Sequence, residues 1–231
     1  MQASLRNVTK KYGERTVFSG LNIDFEEGKT NCILGPSGSG KSTVLNVLAG
    51  ITDAEGEIIR PEKISYVFQD SRLFPNMTVW ENVEFVLGDM PKDKKEERIK
   101  KLLAITEMYD RRNDFPAKLS GGMARRVAIA RAYAYPSELI LMDEPFSALD
   151  PALKMRQIRV YLSLSEIDKR TCVFVTHDIS EALLISDRIF VLDKNGVLKD
   201  NISVDIPKHE RNLFSSGQEK LKERLWRLLC E

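Results

Sequence analysis

A short apolar run, Thr30-Asn31-Cys32-Ile33-Leu34, leads without a break into Gly35-Pro36-Ser37-Gly38-Ser39-Gly40-Lys41-Ser42. A helix-forming stretch follows from Thr43 until Gly50 stops it. The pattern is G-x-x-x-x-G-K-[ST] in a strand–loop–helix setting. Its glycines allow a backbone turn in which successive N–H groups face one concavity. The partial positive charge of the helix start adds to that anion site. Lys41 is then suited to reach the β- and γ-phosphates of a nucleotide, and Ser42 to hold Mg²⁺ through its hydroxyl. The segment commits the chain to an α/β architecture with buried parallel strands.

A phosphate loop of this kind needs a second metal contact. Leu139-Ile140-Leu141-Met142 is another apolar strand, and it ends in Asp143 and Glu144. Asp143 is suited to hold Mg²⁺ through water, and Glu144 to polarise the attacking water as a general base. Elsewhere Val17, Phe18, Leu21, Ile23 and Phe25 read as two strands with Ser19-Gly20 between them. Glu26-Glu27-Gly28-Lys29 reads as a hairpin turn, and residues 64–68 and 171–176 as further strands. Residues 71–135 switch to helical periodicity, and residues 151–166 read as a helix with Pro in its first turn. Residues 188–192 and 196–199 form a strand pair, and residues 218–229 an amphipathic helix. The expected organisation is one domain over residues 1–231. Residues 1–69 and 136–205 form the catalytic core, with a mixed, largely parallel sheet and an N-terminal antiparallel β portion. Residues 70–135 are an inserted helical subdomain, and residues 206–231 a helical tail.

Charge and hydropathy remove other classes. Lys and Arg number 35 against 34 Asp and Glu, a net charge of +1, so there is no basic excess to condense on nucleic acid. No apolar run approaches the roughly 18 residues of a membrane span. Residues 1–6 lack the apolar centre of a signal peptide. The 3 cysteines have no metal-like spacing; Cys32 and Cys172 read as buried strand residues, and a reducing compartment is expected.

Leu119-Ser120-Gly121-Gly122-Met123, followed by Ala124-Arg125-Arg126-Val127-Ala128-Ile129-Ala130-Arg131-Ala132, resembles the signature segment of the ABC transporter ATPases. With it the chain resembles an ABC ATPase over residues 3–200, a P-loop NTPase core that takes ATP and Mg²⁺. The resemblance implies roles for further residues. Gln69 corresponds to the Q-loop glutamine, which contacts Mg²⁺ or water. Ser147-Ala148-Leu149-Asp150 resembles the D-loop. His177 resembles the switch histidine, which donates to the γ-phosphate and orients the water of Glu144. Tyr12, in Lys10-Lys11-Tyr12-Gly13, resembles the aromatic that stacks on adenine.

Ser120, Gly121 and Gly122 make a second anion site, a hydroxyl and bare N–H groups at a helix start. Two such helix ends are not expected to serve one γ-phosphate within one monomer. The family solution is a head-to-tail dimer, with residues 35–42 of one chain facing residues 120–122 of the other. Met123 stands where many members carry Gln, and a thioether lacks an amide's hydrogen bonds. In this the chain is similar to the importer ATPases for nitrate, sulfonate and taurine. The resemblance implies a peripheral subunit at the cytoplasmic face of the membrane, two copies beneath separate permease subunits, and a solute-binding protein acting indirectly. Leu73, Phe74, Met77, Val79 and Trp80 are candidates for the permease-facing surface and, each equally, for the core of the helical subdomain. The ATPase of an exporter, or a soluble ABC ATPase outside transport, are the alternatives.

Overall fold

The computed structural model describes residues 3–147, 149–213 and 216–230; Ala148 of the D-loop-like segment and the termini at residues 1, 2 and 231 lie outside the described residues. Strand β1 (Ser4–Tyr12) pairs antiparallel with β2 (Arg15–Asp24) and with β4 (Glu55–Ile59) in a 3-stranded sheet. The other sheet has 6 strands in the order β5 (Ile64–Val67), β6 (Leu139–Asp143), β7 (Thr171–Thr176), β3 (Thr30–Leu34), β8 (Arg188–Leu192) and β9 (Leu198–Ser203). All its neighbours run parallel except β8 and β9. This is the mixed, largely parallel sheet expected from the sequence.

The inner strands β3, β6, β7 and β8 are buried along nearly their whole length because both faces are covered. Cys32, Leu34, Ile140, Met142 and Phe174 belong to one core, with helices α4 (Gly121–Ala134), α5 (Pro151–Ile167) and α6 (Ile179–Ile185). Ile33, Leu139, Leu141, Val173 and Val175 face the other way, into a core shared with α1 (Lys41–Ala49) and the small sheet. The alternation along each strand divides the residues between the two cores. Helices α2 (Val79–Glu84) and α3 (Lys92–Ile105) pack against α4. Helix α7 (Ser216–Cys230) lies on α6 and β8 and buries Leu225 completely.

Two sequence expectations change, and one open alternative closes. Residues 15–24 are one strand, not two. The buried residues Phe18 and Leu21 are three apart, which breaks strict alternation; a bulge opposite Val8 and Lys10 absorbs the extra residue, and Gly20 N donates to Thr9 Oγ1 at 3.0 Å. Residues 26–29 are not a hairpin turn, since β2 and β3 belong to different sheets. The Asn31 side chain holds this crossing, accepting from Glu26 N at 2.9 Å and donating to Glu26 O at 3.0 Å. Val79 is fully buried in the core and is therefore not a docking residue.

Candidate nucleotide site

Three adjacent strands end at one edge of the large sheet. β3 leads into residues 35–42, β6 ends in Asp143 before Glu144, and β7 is followed by His177. Gln69 follows β5, the strand beside β6. Parallel strands with a phosphate loop at the end of an inner one thus bring residues up to a hundred or more positions apart to one place. Ser42 Oγ donates to Asp143 Oδ1 at 2.9 Å. His177 Nδ1 lies 3.2 Å from Glu144 Oε1.

A cavity of about 500 Å³ opens here, lined by Tyr12, Ser37, Gly38, Gly40, Lys41 and Ser42, with Thr43, Gln69 and Glu144. Arg15 and Val17 complete its wall. Sequence reasoning missed both, because they enter through the β1–β2 hairpin, where Arg15 pairs with Tyr12. Tyr12 is 51% exposed, and the Lys10 ammonium sits 4.6 Å from its ring centre.

The loop is tight. Gly38 and Gly40 have φ of 83° and 91°, a left-handed backbone that glycine adopts without strain. A Cβ on Gly38 would meet nothing within 4 Å, whereas one on Gly40 would lie 2.6 Å from Val17 Cγ1. Lys41 folds back on its own loop and donates from Nζ to Gly35 O and Pro36 O, each at 2.8 Å. Burial lowers its pKa, and the charges of Glu144 and Asp143 oppose that shift. Burial raises the Asp143 carboxyl; the Ser42 hydroxyl opposes this and neighbouring Glu144 adds to it. Ser39 is fully buried, with an unpartnered hydroxyl.

Glu144 has φ 44°, a conformation that costs a side-chain-bearing residue about 1–3 kcal/mol and recurs at functional sites. Its N–H donates to Val175 O at 3.1 Å, and its carbonyl accepts from Ser147 N and Oγ at 3.2 and 3.0 Å. The segment carrying Gln69 is gripped from α4. Arg125 donates to the carbonyls of Phe68 and Gln69, and Arg131 to those of Ser71 and Arg72 at 3.2 and 2.9 Å.

The donor set fits a divalent cation and a polyphosphate. A hydroxyl and a carboxylate already in contact are hard oxygen ligands of the kind Mg²⁺ takes. A desolvated lysine beside a bare-backbone loop suits phosphate oxygens. The structure does not bring Ser120, Gly121, Gly122 or Asp150 to this cavity. Ser120 caps α4, its Oγ accepting from Met123 N at 3.3 Å. Asp150 caps α5, its Oδ1 accepting from Ala152 N and Leu153 N at 3.1 and 3.0 Å. Of the surface candidates, Leu73, Met77 and Trp80 are half-buried, while Phe74 is 37% exposed and packs on exposed Phe85 at 4.7 Å between ring centres.

A phosphate loop on a central parallel strand, with an acidic strand end bonded to it, defines a P-loop NTPase. The model of the ABC transporter family matches residues 18–147. An aliphatic sulfonates import ATP-binding protein of Pseudomonas savastanoi pv. phaseolicola is 41% identical over 226 residues, 97% of this chain and 82% of that protein. The solved post-hydrolysis dimer of the ATP-binding cassette MJ0796, bound to ADP and Pi, is 36% identical with a TM-score of 0.76, covering 89% of this chain and 100% of that one. The structure of cbiO1 from Clostridium perfringens, part of the cbiONQ ABC transporter complex, is 26% identical with a TM-score of 0.80, covering 98% of this chain and 96% of that one. The chain belongs to the ABC transporter family, as an ATP-binding cassette ATPase. Among the described residues no helix is long and apolar enough to cross a membrane.

Proposed function

We propose that the chain is the ATP-hydrolysing subunit of an importer for a small solute of the nitrate, sulfonate or taurine type. It works as a head-to-tail pair beneath separate permease subunits, at the cytoplasmic face of the membrane, and an extracytoplasmic binding protein acts on it indirectly. The sulfonate-importer relative supports the solute class, and the solved dimer and the cbiONQ complex support the assembly. The helical segment 70–135 would receive the permease, with exposed Phe74 and Phe85 available on it.

The observation that carries the reading is the convergence of Lys41, Ser42, Gln69 and Glu144 on one cavity. Tyr12 stacks on adenine. Residues 35–43 wrap the phosphates, and Lys41 leaves its loop carbonyls for the β- and γ-oxygens. Ser42 and Asp143, with Gln69, hold Mg²⁺, which when bound neutralises phosphate charge. Glu144 takes the proton of the attacking water. His177 steadies that carboxylate through Nδ1 and turns its other nitrogen to the γ-phosphate. Ser120, Gly121 and Gly122 of the second chain close the site, and Asp150 helps to shape the junction.

Glu144→Gln tests this. The amide keeps the shape and removes the base, so MgATP should still bind and drive dimerisation in size-exclusion chromatography. Turnover should fall by about a hundredfold or more. Near-normal turnover would remove Glu144 from its role.

A further inference from the structure

His177 sits between two residues that are fixed from an unexpected direction. Lys154, in the first turns of α5, makes ion pairs at 2.8 Å with Asp178 Oδ2 and Glu181 Oε1. The Glu181 side chain is 3% exposed and accepts the Thr176 hydroxyl on its other oxygen at 2.5 Å. Thr176 Oγ1 in turn accepts from Asp178 N at 3.0 Å. Asp178 Oδ1 caps α6, accepting from Ser180 N and Glu181 N at 2.7 and 3.3 Å. Both chain neighbours of His177 therefore belong to one network whose cation comes from α5. Lys154 itself does not line the nucleotide cavity.

A partly buried ion pair of this kind is a poor source of stability, because desolvation offsets most of its attraction. Its distinctive property is geometric, since it fixes where the paired groups lie. Placement matters for a residue that must meet both a carboxylate and a phosphate, as a shift of about 1 Å can cost about a hundredfold in rate. We propose that Lys154 is a positioning residue for His177: by clamping Asp178 and Glu181 to α5 it holds the imidazole against Glu144. The inference rests on the roles given above to Glu144 and His177.

The test uses the full chain. Lys154→Met alone leaves Glu181 buried without its partner, so Lys154→Met/Glu181→Gln is compared with it; the amide still accepts from Thr176. Lys154→Arg is the conservative variant. The chain has 2 histidines, and the second, His209, has a side chain 74% exposed, so its imidazole resonance serves as an internal reference. In the double variant kcat should fall about tenfold or more, with KM for ATP within about twofold. The His177 resonance should shift while that of His209 stays, and Lys154→Arg should restore both readouts. Parental kcat in the folded double variant overturns the proposal, whatever happens to the melting temperature. So does a fall in kcat with the His177 resonance in place. Persistent turnover in Glu144→Gln would instead strike the underlying assignment, which separates the two failures.

Discussion

Alanine at Gly38 and at Gly40 makes a matched pair, because both positions share a left-handed backbone and only one is crowded. The strain of φ 83° or 91° on a residue with a Cβ is about 1–2 kcal/mol. Gly38→Ala carries that cost alone, since its new methyl meets nothing within 4 Å. Gly40→Ala adds a contact 2.6 Å from Val17 Cγ1 and another 3.4 Å from Phe18 Cδ1. Phe18 is fully buried, so the β2 wall cannot give way freely. Overpacking of this type costs about 1–3 kcal/mol, which brings the second variant to about 2–5 kcal/mol. In a chain of this size 1 kcal/mol moves Tm by roughly 2–4 °C. Calorimetry without nucleotide should then show a fall of about 2–8 °C for Gly38→Ala and about 4–20 °C for Gly40→Ala. Urea midpoints should follow the same order at unchanged slope. Because Val17 also lines the cavity, Gly40→Ala should weaken ATP binding as well. Equal destabilisation of the two variants would refute the packing argument, since backbone strain alone would then account for both.

Mixing Lys41→Ala chains with Ser120→Arg chains puts both lesions in one site of a head-to-tail dimer and leaves the other intact. ATPase assays should show part of the activity returning, with single-lesion dimers as the control; a dead mixture beside an active control would rule that dimer out. Cys32 and Cys172 are buried and Cys230 is exposed, so a thiol reagent should titrate one group in the native chain and three after denaturation. Burial pushes the Cys172 thiol from its ordinary 9.0 up to about 11, so its contribution to stability is intact below about pH 9 and declines as pH rises toward 11. A melting series should show that fall, and Cys172→Ala should make it shallower.

The residues around the phosphates were legible because their chemistry is contiguous. A loop that presents bare N–H groups needs its glycines, lysine and serine within eight positions, and the acidic end of β6 announces itself after four apolar residues. Strand β1 and edge strand β4 were harder to read. Ser4–Tyr12 and Glu55–Ile59 are rich in exposed polar residues and earn their place by pairing with each other. The bulge in β2 was hidden for a related reason: a slip in alternation looks like a strand end until the partner strand is known. Arg15 and Val17 carry no motif, and the hairpin alone brings them to the cavity. Val79 shows the converse case. Its neighbourhood is apolar enough for a docking surface, yet the Thr78–Glu81 capping box starts α2 there and turns Val79 into the core. The clamp from Lys154 to Glu181 joins residues 27 positions apart on different elements, beyond the reach of periodicity.

Helix α5 has a place in the proposed dimer that follows from these contacts. Gln157 is fully buried and donates from Nε2 to Gly122 O at 2.7 Å, so α5 holds the first turn of α4. Lys154, three residues earlier, holds the segment of His177. In the proposed head-to-tail pair, His177 would serve the nucleotide bound by its own chain, whereas residues 120–122 would serve the nucleotide of the other. In that pair one helix, capped by Asp150, would grip a part of each site within a single turn. In the proposed pair a displacement of α5 would therefore be felt at both nucleotides.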